Sequence, residues 1–288
     1  MLLELKNVDY YYNRGTPFEV KALDNINLKI NEGEFIAIIG HTGSGKSTLI
    51  QQFNGLVFPD EGEVLVEGQS TKSEKDDLTL VRQKIGLVFQ YPEYQLFEDT
   101  IEKDISYGPR NLGLSEEEIA IRVKDSMQRV GVDYEIFKEK SPFDLSGGEK
   151  RRVAIAGILA MNPDVLVLDE PAAGLDPSGR DEIFDELTKI HKNLGITVII
   201  VSHSMEDVAR LVDRIIVMDH GKVAMDDIPM EIFKRDDELI NMGLRAPVIR
   251  SFMKLLKSSG MDISDEIIVV EDAKIEIERY LDMRDKNA

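Results

Sequence analysis

Nine consecutive residues, Gly40-His41-Thr42-Gly43-Ser44-Gly45-Lys46-Ser47-Thr48, restrict this chain more than any other stretch. They read G-x-x-x-x-G-K-S, the pattern of a phosphate-binding loop. The apolar run Phe35-Ile36-Ala37-Ile38-Ile39 before them predicts a buried parallel strand. Lys46 to Phe53 after them continue as a helix. Strand, glycine loop and helix in that order aim backbone N–H groups and a helix N-terminus at a polyphosphate. Lys46 is expected to reach the β and γ phosphates, and the Ser47 hydroxyl to ligate Mg²⁺.

The surrounding pattern is that of an α/β protein. Short apolar runs at 64–66, 85–89, 165–168, 197–201 and 214–218 predict strands, separated by helical segments. Residues 2–10 predict an edge strand with Leu3, Leu5 and Val8 as its apolar positions, and 22–30 a second, cleanly alternating one. Residues 70–77 are polar and predict an exposed loop. Residues 91–160 change character and predict a mainly helical subdomain, with helix starts at Ser115 and Ser146. Asp176 as N-cap and Pro177 after it open a long helix that closes at Gly195. Asp219-His220-Gly221-Lys222 predicts a hairpin turn. Beyond about residue 224 the composition shifts, which divides the chain into 1–224 and an appended 225–288. The appendage predicts amphipathic helices, a short strand over Ile267-Ile268-Val269-Val270 and a charged terminal helix, a small α+β extension.

Several residues stand where this pattern puts chemistry. Gln90 follows a strand, and polar residues at the carboxyl ends of strands in an open α/β sheet face ligands. The all-apolar strand Val165–Leu168 ends in Asp169-Glu170, two adjacent carboxylates that are costly there unless used. Asp169 suits Mg²⁺, directly or through water, and Glu170 suits polarising a water for attack on a γ phosphate. His203 follows the next strand and is placed to stabilise developing phosphate charge. Ser146-Gly147-Gly148-Glu149 has capping-box spacing, yet two glycines at a helix N-terminus suggest close approach by an anion. Among Tyr10, Tyr11 and Tyr12, a ring near the phosphate loop either stacks on a base or packs a sheet. The four histidines show no metal-ligand spacing.

Composition narrows the partners. The net charge of −19 argues against a nucleic-acid surface. Cysteine is absent, which fits a reducing compartment. No signal peptide is evident at the N-terminus and no apolar run is long enough to span a bilayer, so a membrane role is expected to be peripheral.

The order Gly40–Thr48, Gln90, Leu145-Ser146-Gly147-Gly148-Glu149, Leu166–Glu170, His203 resembles an ATP-binding cassette ATPase over about residues 1–222. The resemblance implies ATP and Mg²⁺ as cofactors. It also implies that Tyr12 stacks on adenine, Gln90 senses Mg²⁺ and couples to membrane subunits, and Glu170 is the catalytic base. Asp176 would communicate across a dimer and His203 would act as a switch. Ser146 to Glu149 would close the site of a second chain in a head-to-tail dimer, alongside the chain's own Gly40 to Thr48.

Phe89–Phe97, Lys150–Gly157 and Thr16–Glu19 resemble more closely the ATPases of energy-coupling factor (ECF) importers of vitamins and metal ions. They point to the second ATPase of such complexes. Glu149 and Ala172 replace a commoner glutamine and threonine without removing a phosphate ligand. The implied partners are a second cassette ATPase, a transmembrane coupling subunit and a substrate-binding membrane subunit, at the cytoplasmic face of the cell membrane. The 225–288 extension would serve dimerisation. Glu93, Glu98 and Asp99 beside Gln90 are expected to receive basic residues of the coupling subunit. Alternatives are a soluble cassette acting on DNA or ribosomes, for which the acidic balance and lack of sustained heptads are unfavourable, and a regulator of a membrane enzyme.

Overall fold

A computed structural model describes residues 1–72 and 75–286. Its strands are β1 (Leu3–Tyr12), β2 (Val20–Ile30), β3 (Phe35–Ile39), β4 (Glu61–Val66), β5 (Gln69–Ser70), β6 (Ile85–Val88), β7 (Val165–Asp169), β8 (Thr197–Val201), β9 (Arg214–Asp219) and β10 (Lys222–Asp227). Its helices are α1 (Lys46–Phe53), α2 (Lys75–Lys84), α3 (Ile101–Asn111), α4 (Glu116–Arg129), α5 (Tyr134–Phe137) and α6 (Gly147–Leu159), then α7 (Pro177–Leu194), α8 (Met205–Leu211), α9 (Pro229–Phe233), α10 (Asp236–Asn241), α11 (Val248–Ser258) and α12 (Val270–Lys286).

The strands form two sheets. One is antiparallel, in the order β2-β1-β4-β5; the other runs β10-β9-β3-β8-β7-β6 and is parallel except for β10. Every residue of β3 and β8 is buried, as a parallel sheet covered on both faces requires. Period-2 alternation then sorts the side chains. Phe35, Ala37, Ile39, Leu166, Leu168, Val198 and Ile200 point into a core shared with α3, α4, α6, α7 and α8. Ile36, Ile38, Val165, Val167, Ile199 and Val201 point the other way, into a core shared with α1 and the antiparallel sheet. Each such buried aliphatic side chain contributes about 1.5–3 kcal/mol.

β1 is not an edge strand. Leu3 pairs with Ile30 on one side and Val66 on the other, because β4 returns to it after α1 and covers the flank left open by β2. The loop expected over 70–77 gives way to α2 from Lys75; residues 73 and 74 lie outside the described residues.

The strand expected over 267–270 does not form. Ile268 is buried in the larger core, Ile267 packs beside Met253 and Ala273, and Val270 already begins α12, so these apolar residues serve three directions that no single strand face offers. From Pro229 onward the extension is helical among the described residues. Ile232, Phe233, Leu239 and Leu244 pack into the larger core, whereas α11 and α12 enclose a small core of their own. Among the described residues no helix is long and apolar enough to cross a membrane.

Candidate nucleotide site

Register brings the chemistry to one sheet edge. β3 lies between β8 and β9, with Ile38 opposite Val201 and Ile216, and Asp169 at the end of β7 lies opposite Val201. The residues that follow these strands therefore meet: the glycine loop after β3, Glu170 after β7, Ser202 and His203 after β8.

The loop itself is tightly held. A Cβ on Gly40 would sit 2.3 Å from the Met218 carbonyl oxygen, and one on Gly45 (φ +103°) would sit 2.6 Å from that of Ala22. Only glycine fits both places. Lys46 donates from Nζ to the Gly40 carbonyl at 2.8 Å and the His41 carbonyl at 3.0 Å. Burial holds its pKa below the ordinary lysine value, opposed by Glu170 and Asp169. Ser47 Oγ donates to Asp169 Oδ2 at 3.1 Å. Burial raises the Asp169 pKa, while this hydrogen bond lowers it. The two groups assigned to Mg²⁺ thus stand together as a pair of hard oxygen donors, the kind of ligand the ion takes.

Glu170 is engaged at both carboxylate oxygens. Gln90 Nε2 donates to Oε2 at 2.8 Å, and His203 Nε2 lies 2.8 Å from Oε1. Its backbone has φ 48°, a region a non-glycine residue occupies only at a cost of about 1–3 kcal/mol when its surroundings enforce it. The Glu170 N–H is fixed to the Val201 carbonyl at 3.1 Å. Of the three tyrosines only Tyr12 reaches the loop, its hydroxyl 3.0 Å from Thr48 Oγ1; Tyr10 stacks edge-on against it, and Tyr11 lies under Arg14 and Lys21. A groove of about 890 Å³ runs along these residues, lined by Tyr12, Thr42, Gly43, Gly45 to Thr48, Gln90, Glu170 and His203.

Three predicted site elements lie elsewhere. His41 turns its ring away, toward Asp219. Asp176 caps α7, accepting from the Gly179 N–H at 2.7 Å. Ser146 and Glu149 form a complete capping box at the start of α6, outside the groove; the Ser146 hydroxyl and N–H hold the Glu149 pKa below the usual carboxylate range. Among the described residues nothing outside α6's own nearby backbone comes within 4 Å of a Cβ built on Gly147 or Gly148, so no packing seen there explains the two glycines.

Sequence reasoning missed Arg151. Its guanidinium is buried at 2% exposure and donates to the Pro171 carbonyl at 2.7 Å and the Ala173 carbonyl at 3.0 Å, with Glu93 at 3.4 Å. One side chain of α6 therefore ties together the segment after Glu170 and the segment after Gln90. It also corrects the expectation for Glu93, which turns inward to Arg151 instead of offering charge to a partner. Asp99 pairs with Lys103 at 3.4 Å. Beside them opens a groove of about 550 Å³ lined largely by apolar side chains, among them Leu56, Phe89, Phe97, Tyr107 and Met161.

Comparison with known proteins places this geometry. The ABC transporter family profile matches residues 23–173. An energy-coupling factor transporter ATP-binding protein EcfA2 of Clostridium perfringens is 56% identical over 95% of this chain and 96% of its own length. The protein of the same name from Listeria monocytogenes is 45% identical over 98% of both chains. Among solved structures, CbiO1 of Clostridium perfringens, part of the ABC transporter complex cbiONQ, superposes with a TM-score of 0.74 at 41% identity, covering 88% of this chain and 98% of that one. A dimeric ATP-binding cassette, MJ0796, bound to ADP and Pi, superposes with a TM-score of 0.70 at 35% identity over 79% of this chain and 99% of its own.

Proposed function

Because the chain belongs to the ATP-binding cassette ATPases, in the branch of energy-coupling factor transporter ATP-binding proteins, we propose that it is the second ATPase of an importer for vitamins or metal ions. The observation that carries this reading is the convergence of Ser47, Gln90, Glu170 and His203 on one groove beside the glycine loop, with Asp169 bonded to Ser47. ATP would lie along that groove with its base on the Tyr12 ring. The backbone N–H groups of Gly43 to Thr48 and the Lys46 ammonium would hold its phosphates. Ser47 and Asp169 would hold Mg²⁺, with Gln90 beside them. The ion, when bound, neutralises phosphate charge.

The chain's own residues supply the rest. Glu170 accepts the proton of the attacking water, and His203 supports the charge that develops on the γ phosphate. Gln90 and His203 each contact one Glu170 oxygen, which orients the carboxylate while leaving lone pairs for the water. Ser146 to Glu149 would meet the nucleotide of a partner cassette, where Gly147 and Gly148 leave the helix start uncovered, and Asp176 would lie at that junction. A heterodimer with a homologous ATPase, supported by the α11–α12 extension, accounts for this arrangement. The apolar groove at Phe89, Phe97 and Tyr107 would receive a transmembrane coupling subunit at the cytoplasmic face of the membrane. Solute recognition would rest with a separate membrane subunit.

The test uses tagged Glu170→Gln protein expressed in its native cell and solubilised gently with Mg-ATP. Loss of a general base should slow hydrolysis by roughly 10²–10⁴-fold while ATP still binds. Mass spectrometry of what co-purifies should find a polytopic membrane protein and a second cassette ATPase. Recovery of soluble partners alone, such as ribosomes or nucleases, would overturn the transport reading.

A further inference from the structure

His41 is the second residue of the glycine loop, and its ring faces away from the nucleotide groove. Its Nδ1 lies 2.8 Å from the Thr42 carbonyl oxygen and its Nε2 lies 3.2 Å from Asp219 Oδ1. Both neighbours are acceptors, and a neutral imidazole has one N–H for the two of them. Neither the Thr42 carbonyl nor the Asp219 carboxylate can donate, so in a neutral ring one of the two nitrogens faces an acceptor without a hydrogen. A second proton on the ring, or a metal cation held between Nε2 and the carboxylate, satisfies both acceptors. His220 completes the cluster. Its ring centroid is 5.0 Å from that of His41, and its Nε2 is 3.9 Å from the same Asp219 oxygen. One ligand atom from each of the three residues lies within 4.8 Å of the others.

The fold fixes this juxtaposition. β3 and β9 are parallel neighbours with Ile39 opposite Val217, so residues two beyond each, His41 and Asp219, meet at the sheet edge. His220 (φ 45°) and Gly221 (φ 77°) form a two-residue left-handed turn between β9 and β10. The Gly221 N–H donates to the Ser44 carbonyl at 3.0 Å, so the hairpin is already bonded to the glycine loop.

We propose that His41, Asp219 and His220 form a binding site for a borderline transition-metal dication of the Zn²⁺ class, distinct from the Mg²⁺ that accompanies a nucleotide. Two imidazole nitrogens and a carboxylate oxygen are ligands for such ions, whereas Mg²⁺ and Ca²⁺ take oxygen. With metal–ligand bonds of about 2.1 Å, the Nε2 to Oδ1 separation of 3.2 Å corresponds to an angle of about 100° at the metal, within the tetrahedral range. His220 is exposed and supplies the third ligand by swinging its ring inward, and water takes the fourth place. With Nε2 on an ion, Nδ1 would carry the ring's proton and donate to the Thr42 carbonyl 2.8 Å away, the outer contact that orients a ligating imidazole. An ion there would clamp the glycine loop to the β9–β10 hairpin at the rim of the nucleotide groove, which His220 also lines.

The chain has four histidines and no cysteine, which makes the site testable. His191 Nδ1 is spent on the Ile196 carbonyl at 2.9 Å and His203 faces Glu170, so His41 and His220 are the only histidines that stand side by side. Nucleotide-free, full-length protein is titrated with Zn²⁺ against a chromophoric chelator, and with Co²⁺ read by visible absorption. One ion per chain, with four-coordinate Co²⁺ bands, is expected above the weak carboxylate background. His220→Asn keeps a residue that tolerates the left-handed turn, and Asp219→Asn removes the carboxylate. Each should weaken Zn²⁺ binding at least about tenfold, the least that losing even an outer-shell partner costs. His203→Ala should leave the affinity unchanged. No ion above background would overturn the proposal. So would an unchanged affinity in His220→Asn, or loss of the ion in His203→Ala.

Discussion

Replacing Arg151 by Met tests whether one buried guanidinium holds the catalytic segment in place. Methionine keeps most of the stem and removes every donor. The Pro171 and Ala173 carbonyls then lose their partners, and Glu93 remains as a largely enclosed anion. An unpaired buried acceptor costs about 1–3 kcal/mol, and breaking a buried ion pair from one side costs about 3–5 kcal/mol. These contributions share one side chain and do not add, so the expected loss is about 3–5 kcal/mol. In a chain of this size, at about 2 °C per kcal/mol, that lowers the thermal midpoint by roughly 6–10 °C. Activity should suffer as well, because Pro171 to Ala173 directly follow Glu170; misplacement by about 1 Å costs up to about 100-fold in rate.

Differential scanning calorimetry and steady-state ATPase assays read both effects. Arg151→Lys should fall between, since a point charge answers Glu93 but cannot reproduce the planar fork on two carbonyls. Adding Glu93→Gln to Arg151→Met should recover part of the loss by removing the uncompensated charge. A midpoint within 2 °C of the parent, taken as about 1 kcal/mol, together with unchanged kcat would refute the reasoning.

Two further outcomes are expected. Burial raises the Glu186 carboxyl to about 7, against the attraction of Arg152 at 3.1 Å. The folded chain therefore holds a proton that the unfolded chain releases at lower pH. Stability from this group is present below the unfolded value and is lost as pH rises toward 7, by at most about 3 kcal/mol. Glu186→Gln should then raise the thermal midpoint at pH 8 and change it little at pH 4; parallel pH profiles for the two proteins would contradict this. Tyr12→Ala should raise the KM for ATP by roughly 5–150-fold, the equivalent of about 1–3 kcal/mol of base stacking, while Tyr12→Phe should keep the ring's contribution; equal KM values in all three proteins would place the base elsewhere.

What the sequence made legible was local or periodic. The glycine loop, the strand ends at Gln90, Asp169–Glu170 and His203, and the Asp176 cap each follow from a short pattern. The parallel sheet then brings the strand ends together without further information. Arg151 was not legible, because an arginine in a run of Lys150, Arg151 and Arg152 reads as solvated until α6 is seen to bury it against the segments after β6 and β7. The pairing of His41 with Asp219 depends on the β3–β9 register across 178 positions of chain. The apolar run at 267–270 misled because β-branched residues predict a strand only where a neighbouring strand exists to pair with it, and here α11, α12 and the larger core take those side chains instead.

The open capping box at Ser146–Glu149 has a consequence for how damage is counted. If each composite site joins the glycine loop of one chain to the α6 start of another, a lesion belongs to a site and not to a polypeptide. A damaged Lys46 in one subunit and a damaged Ser146 in its partner would strike the same site and leave the other whole. The same two lesions placed in a single subunit would silence both sites while its partner remained intact. The unit of inheritance and the unit of function would then not coincide, and a gene carrying two mild defects would behave as a more severe allele than two genes carrying one each.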